Sequence, residues 1–118
     1  MAKRSQAWAA LADRTDPQGL AAYAVRYIEW LKVHNYAAPT ILNRQMYLGY
    51  FVGWCRERGL NTPREITKPI LERYQRHLQD ARKSDGRPLT RGSQHVLLTP
   101  LKGFFRWLVR ERRLLVNP

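Results

Sequence analysis

Basic and neutral polar side chains recur at helical spacing in the last third of the chain, where they could bind an anionic polymer. The pattern consists of His95, Thr99, Lys102, Arg106, Arg110 and Arg113. Because successive helical residues are rotated by about 100°, these side chains fall on one side of a helix. Lysine and arginine neutralise phosphates, and arginine can also grip a guanine edge with two hydrogen bonds. The spacing predicts a cationic helix face suited to a nucleic-acid groove.

Neutral hydrogen-bonding side chains lie near the predicted N-termini of two helices. They are Asn43, Ser93, Gln94 and His95. Recognition helices often reach bases or phosphates from such positions. A solvent-facing helix surface explains any single lysine or arginine equally well, so the prediction rests on the group of side chains and not on one member.

Covalent chemistry, metal binding and cofactor binding find no support in the sequence. Ser93 and His95 lack the orienting carboxylate and the strained turn that accompany a nucleophilic serine. The three histidines are scattered and have few acidic neighbours, which does not favour a metal site. Neither of the glycine-rich phosphate loops, GxxxxGK and GxGxxG, occurs. We expect no catalytic residue, no metal, no cofactor and no small-molecule ligand.

The charge balance points to a polyanionic partner. The chain has 21 Lys and Arg against 9 Asp and Glu, a formal net charge of +12. Such an excess repels itself in the compact state and usually indicates that a polyanion is bound. Residues 90–118 hold six basic side chains and one acidic side chain. Double-stranded DNA is therefore the favoured partner, and an anionic membrane or an acidic protein are the alternatives.

Apolar periodicity predicts the elements that position these side chains. The first stripe consists of Leu20, Tyr23, Ala24, Tyr27, Ile28 and Leu31. Its steps of three and four predict an amphipathic helix over residues 18–35. Similar patterns predict helices over residues 40–58, 68–82 and 91–113, and no strand or internal repeat is apparent. At 118 residues, we expect one small all-α bundle of four to five helices.

Capping and turn residues set the predicted helix ends. Thr40 is expected to cap the second helix, and Gly59 to end it in a left-handed conformation. Thr67 and Pro69 indicate the start of the third helix. Pro100 lies inside the fourth; a kink is favoured over a helix start there, because the apolar stripe continues through it.

The other predicted helices also have a buried side. In the second helix it holds Tyr47, Tyr50, Phe51, Trp54 and Cys55. In the third it holds Ile70, Leu71, Tyr74 and Leu78, and in the fourth Leu97, Leu101, Phe104, Phe105 and Leu108. Most aromatic residues lie on these sides, so packing is favoured over stacking on unpaired bases. The single cysteine is interpreted as a small buried hydrophobe and not as a reactive thiol.

The remaining segments carry no predicted site. Residues 1–17 are expected to form a loose arm or a short helix, and residues 83–88 a loop or a short hairpin. No apolar stretch approaches the roughly 18 residues that span a bilayer, and the N-terminus lacks the apolar core of a secretory signal. We therefore expect a soluble, cytoplasmic, DNA-associated protein without a membrane partner.

Two stretches of the sequence resemble a known family of domains. One runs from Thr40 to Tyr47 and continues with Leu48, Phe51 and Trp54. The other runs from Ser93 to Leu108, with Asn117 and Pro118 resembling the hinge that follows. Both are similar to the core-binding, SAM-like N-terminal domain of tyrosine recombinases, the family of phage integrases and Xer-type recombinases. The similarity covers about residues 20–118, and its order and spacing are more specific than either stretch alone.

The resemblance implies a domain that clamps one side of duplex DNA during recombination or integration. The family's second and fourth core helices face the major groove, which implies DNA contacts by Thr40, Asn43, Arg44, Arg91, Ser93, Gln94, His95, Lys102 and Arg106. The helical periodicity independently selects His95, Lys102 and Arg106. The family's first helix commonly contacts a neighbouring protomer, so self-association through helix 1 is a further expectation by analogy. The expected organisation is an arm over residues 1–17, the core-binding domain over residues 18–116 and the start of the hinge at residues 117–118.

The resemblance leaves the catalytic residues of the family without counterparts. The family's catalytic arginines, lysine, histidine and nucleophilic tyrosine belong to a C-terminal domain, so none of the six tyrosines here is expected to be a nucleophile. The chain is then expected to be either a fragment that ends at the hinge or a truncated product.

Two alternatives remain open at this point. One is a helical protein-interaction module whose basic surface binds an acidic partner. The other is a helix-turn-helix transcriptional regulator, although the short glycine turn between its two helices is not evident.

Overall fold

The computed structural model describes residues 19–80 and 91–111, and the side chains of residues 91–97 are outside that description. Four α-helices make up most of these residues: α1 (Leu20–Val33), α2 (Ala38–Glu57), α3 (Lys68–Asp80) and α4 (Arg91–Arg110). A single 3-10 turn, Pro63–Glu65, precedes α3, and no strand occurs within the described ranges. The predicted all-α helical bundle is confirmed.

Several predictions concern parts of the chain that lie outside the described residues. They are the arm over residues 1–17, the loop over residues 83–88, the side chains of His95 and Leu97, Arg113, and the hinge at residues 117–118. Within the described helices, none combines the length and the apolar character that crossing a bilayer requires.

Helix α1 buries the whole stripe that its periodicity predicts. All six residues, Leu20, Tyr23, Ala24, Tyr27, Ile28 and Leu31, are at most 5% exposed. They join one hydrophobic core that also includes Leu48, Phe51, Phe104 and Leu108 from α2 and α4. Each fully buried side chain of this size stabilises the fold by about 1.5–3 kcal/mol relative to exposure, so α1 is held by packing and not by its own helix propensity.

Phe51 connects three of the helices through aromatic contacts. Its ring is fully buried, and its centroid lies 4.9 Å from that of Tyr74 on α3 in an edge-on arrangement. The centroid of Phe105 on α4 lies 6.1 Å away, also edge-on. Edge-on pairs place the positive edge of one ring against the negative face of the other, which adds to the gain from burial. Phe51 therefore fixes α2 against both later helices.

The predicted buried side of α2 is partly wrong. Phe51, Trp54 and Cys55 are buried as expected, but Tyr47 and Tyr50 are only partly buried and pair with each other at 6.0 Å between centroids. Leu48 and Val52 are buried instead. The physical reason is that α2 packs against both α1 and α4, so it buries a wider arc than one narrow stripe.

The start of α2 also differs from the prediction, because Thr40 does not cap the helix. The helix begins at Ala38, Ala37 occupies the cap position, and no side-chain cap hydrogen bond forms there. Pro39 lies in the first turn, where its fixed φ suits the helix and its missing N–H would have no partner. Thr40 is consequently inside the first turn, with its side chain available for other contacts.

Helices α1 and α2 both end in a left-handed residue, which makes each reversal tight. Gly59 has φ of +72° as predicted, and the Leu60 N–H donates to the Cys55 carbonyl at 2.9 Å. Asn35 has φ of +59°, and the Tyr36 N–H donates to the Leu31 carbonyl at 3.1 Å. This 6→1 bond satisfies a carbonyl that the helix end would otherwise leave unpaired. The reversal at Asn35 sets where α2 starts.

The connection from α2 to α3 is built around Glu65. One oxygen of its carboxylate accepts hydrogen bonds from the backbone N–H groups of Asn61 and Thr62 and from the Thr62 hydroxyl, at 2.9–3.2 Å. The Thr62 hydroxyl and then the Asn61 N–H hold the pKa of Glu65 below its usual value. The Asn61 carbonyl also accepts the Leu20 N–H at 2.6 Å, which ties this connection to the start of α1.

Helices α3 and α4 follow the predictions closely. Helix α3 begins directly after Thr67, buries Tyr74 and Leu78, and leaves Ile70 and Leu71 partly buried against the core. Helix α4 continues through the buried Pro100, so the alternative in which this proline marks the helix start is wrong. The predicted side chains Leu101, Phe104, Phe105 and Leu108 are all buried.

The burial of Cys55 generates the first testable prediction. The residue is 0% exposed, and burial raises the pKa of its thiol to about 12. A thiol that is protonated and inaccessible reacts only when the structure opens. We expect Ellman's reagent at pH 8 to label the native protein at least about 100-fold more slowly than the protein unfolded in urea. Equally fast labelling of both would contradict the packing described for α2.

Candidate nucleic-acid interface

The structure places the α2 members of the predicted site at the start of that helix. Thr40, Asn43 and Arg44 lie on its first two turns, and all three are partly exposed. At about 100° per residue they span an arc of about 100°, with Thr40 in the middle. They can therefore face one ligand together.

The α4 members of the predicted site whose side chains the structure describes lie on one face of the second half of that helix. Lys102 and Arg106 are exposed, as is Arg110, while Thr99 is partly exposed. The backbone of Arg91, Ser93, Gln94 and His95 forms the first turns of α4, but their side chains are outside the described part of the structure. The predicted separation of a buried side and a cationic side is thus seen from Leu98 onward.

The ring of Tyr27 packs between α1 and α4. Its centroid lies 5.6 Å from that of Phe104 and 5.5 Å from that of Trp107, both in tilted arrangements. Tyr27 as a whole is 5% exposed. Because the ring is enclosed by α4 side chains, the position of its hydroxyl is fixed relative to that helix.

A glycine on α4 leaves room for that hydroxyl. A Cβ atom added at Gly103 would lie 2.8 Å from the Tyr27 Oη atom and 3.9 Å from Cζ. Gly103 falls within about 60° of Thr99, Arg106 and Arg110 on the helix surface. The Tyr27 hydroxyl therefore enters a gap in the cationic face of α4.

Three arginines from two helices act on the same hydroxyl. Burial is the main effect on Tyr27 and raises its pKa, while the positive charges of Arg44, Arg106 and Arg110 oppose that rise. Arg44 belongs to α2 and the other two belong to α4. Charges from the start of α2 and from the cationic face of α4 thus both act on Tyr27.

Arg110 is held in place by an aromatic pair at the end of α1. Its guanidinium carbon lies 5.5 Å from the centroid of the Trp30 ring, a cation–π distance. Trp30 in turn stacks on His34 at 4.1 Å, and the His34 Nδ1 atom lies 2.8 Å from the Trp30 carbonyl oxygen. Such contacts reduce the freedom of the arginine and favour one orientation of its charge.

The sequence prediction did not include three residues of this arrangement among the site residues. The sequence pattern places Tyr27 on the buried stripe of the first helix, gives no role to Gly103, and places Arg110 on the cationic stripe outside the predicted site. A single glycine inside a helical pattern can indicate a close backbone approach, so Gly103 was the one available signal.

Comparisons with known proteins identify the class to which the chain is related. It is 48% identical over 99 residues to the tyrosine recombinase XerC 2 of Ralstonia nicotianae, a match that covers 84% of this chain and 28% of the relative. It is 29% identical over 94 residues to the tyrosine recombinase XerC of Escherichia coli, covering 79% of this chain and 30% of the relative. No protein-family model and no solved structure matches the chain.

These matches confirm the resemblance drawn from the sequence. The chain is a homologue of the tyrosine recombinases and corresponds to a tyrosine recombinase N-terminal domain. Within that class, the relatives that it matches are XerC proteins, and it spans less than a third of their length.

The contact between Tyr27 and Gly103 generates a second prediction. Replacing a helical glycine by alanine ordinarily stabilises a protein by up to about 1 kcal/mol. At Gly103 we expect G103A to lose this gain, because the new Cβ would lie 2.8 Å from an oxygen on an enclosed ring. In the Y27F background the nearest of the described atoms is the ring carbon at 3.9 Å, so the gain should return.

Urea unfolding of the four proteins measures this coupling as a double-mutant cycle. We expect the two substitutions to couple favourably by about 1 kcal/mol or more. If G103A changes the free energy of unfolding equally in both backgrounds, the hydroxyl does not occupy the gap in α4.

Proposed function

We propose that residues 18–116 form the core-binding domain of a tyrosine recombinase and clamp duplex DNA during recombination or integration. In this proposal another domain cleaves and rejoins the strands, and this chain supplies no catalytic residue. The homology to tyrosine recombinases supports the recombinase part of the proposal. Double-stranded DNA is the proposed partner, and no metal or cofactor takes part.

One observation carries the DNA-binding part of the proposal. Arg106 and Arg110 are exposed on the face of α4 where Gly103 accommodates the Tyr27 hydroxyl, and Arg44 at the start of α2 acts on the same hydroxyl. Lys102 extends the exposed cationic face along α4. A phosphate backbone offers negative charges at regular intervals, so a convergent cationic surface from two helices suits it.

The proposed contact residues divide by the chemistry of their side chains. Arg44, Arg91, Lys102 and Arg106 would neutralise phosphates, and the arginines could also bind guanine. Thr40, Asn43, Ser93, Gln94 and His95 would donate or accept hydrogen bonds at phosphates or base edges. Phosphate contacts should supply most of the affinity, so binding by this domain is expected to be weak and strongly dependent on salt.

Fluorescence anisotropy with a short duplex tests the proposal. Removing one phosphate-binding cation should weaken binding about tenfold at low salt and reduce the slope of log K against log salt by about 0.9. We expect both effects for R106A and for K102A. Because both side chains are exposed, each substitution should change the free energy of unfolding by less than about 0.5 kcal/mol.

R64A is the matched control, because it also removes one positive charge but lies at the opposite end of helices α1 and α2 from Arg44. Arg64 is exposed in the connection between α2 and α3, which is hydrogen-bonded through Asn61 to the start of α1. Arg44 lies in the first turns of α2, which follows the end of α1. We expect R64A to change binding less than threefold. An equal loss in R64A and R106A would show that only net charge matters.

Other results would favour the alternatives. Absence of binding at low salt, with capture of an acidic protein, would favour a protein-interaction module. Binding only as a dimer to a palindromic site would favour a helix-turn-helix regulator.

A further inference from the structure

The Tyr27 hydroxyl of α1 lies against the cationic face of α4, beside Gly103. Its ring is held between Phe104 and Trp107, and its oxygen occupies the gap left by Gly103. Core packing alone does not require this hydroxyl, because a phenylalanine would make the same ring contacts. The hydroxyl therefore has another role on the arginine-bearing face of α4.

Arginines from two helices supply the positive charge that acts on this hydroxyl. Arg44, Arg106 and Arg110 lower the pKa of Tyr27, Tyr36 acts in the opposite sense, and no carboxylate is among the described groups that act on it. The ion pair between Arg58 and Glu57 lies at the far end of α2. Three cations gathered without a neutralising carboxylate favour an anion as the missing partner.

We propose that the Tyr27 hydroxyl, Arg44 and Arg106 form a binding site for one phosphate of the DNA backbone. This inference rests on the proposed function. It places side chains from α1, α2 and α4 at the same phosphate of the duplex. The hydroxyl donates a hydrogen bond to one non-bridging oxygen of the phosphate, and the two guanidiniums share its two non-bridging oxygens. Arg110, held over Trp30, adds charge beside the site.

The rigidity of the tyrosine gives it a role that the arginines cannot fill. Arginine side chains on a helix surface must be ordered when they bind, which costs conformational entropy. The Tyr27 hydroxyl is already ordered by its buried ring, so it would fix the register of this phosphate at little cost. The site should therefore position the domain on DNA, and it should contribute little to the choice of base sequence.

Y27F tests the inference, because it removes only the oxygen. In anisotropy titrations with the full 118-residue chain, we expect Y27F to bind DNA about 3- to 10-fold more weakly. Its salt slope should equal that of the unaltered protein, because a neutral hydroxyl releases no counterion, whereas R44Q should reduce the slope by about 0.9. Y74F is the matched control, since it removes the hydroxyl of another buried tyrosine, on α3, and should not change binding.

A scan of the duplex with single methylphosphonates identifies the phosphate. One position should weaken binding by the unaltered protein but have no further effect on Y27F or on R44Q, and the double variant should lose less than the sum of the two single losses. If the unaltered protein binds and Y27F binds equally well, the phosphate site is wrong while the proposed function stands. If the unaltered protein does not bind any duplex, the proposed function itself fails.

Discussion

The packing of the Tyr27 ring against α4 is the constraint on which the rest of the candidate interface depends. The ring lies between Phe104 and Trp107, and Gly103 lets its hydroxyl approach the α4 backbone closely. Because this contact fixes the rotation of α4 relative to α1, it determines where Lys102 and Arg106 face. The buried side of α4 therefore orients its cationic side, so the core and the candidate interface are one arrangement.

The position of α2 depends on a second local constraint, the left-handed residue Asn35. Its tight reversal joins α1 to α2 with four residues, so the start of α2 lies beside the end of α1. Phe51 then holds the middle of α2 against α3 and α4. With both constraints satisfied, Arg44 and the arginines of α4 act on the same side chain, Tyr27. Arginines far apart in the sequence thus influence one hydroxyl in a chain of net charge +12.

How far the sequence predicted this arrangement depended on how many partners each helix has. All six stripe residues of α1, which contacts α2 and α4, were predicted, whereas Tyr47 and Leu48 exchanged roles in α2, which contacts all three other helices. Local chemistry predicted Gly59 but misplaced the start of α2, since the preference of Pro39 for the first turn outweighed the capping tendency of Thr40. The common influence of Arg44 and Arg106 on Tyr27 could not be predicted, because it follows from tertiary packing and leaves no local pattern.

An NMR titration of the labelled chain with a short DNA duplex tests the central claim most directly, since it maps the contact face without assuming it. The account predicts that amide shifts cluster at residues 40–44 and 91–106 at low salt, and that they fade at moderate salt because phosphate contacts dominate. If no amide moves at low salt, or if the shifts lie on α1 alone, this surface does not bind DNA and a protein-interaction module becomes the better account.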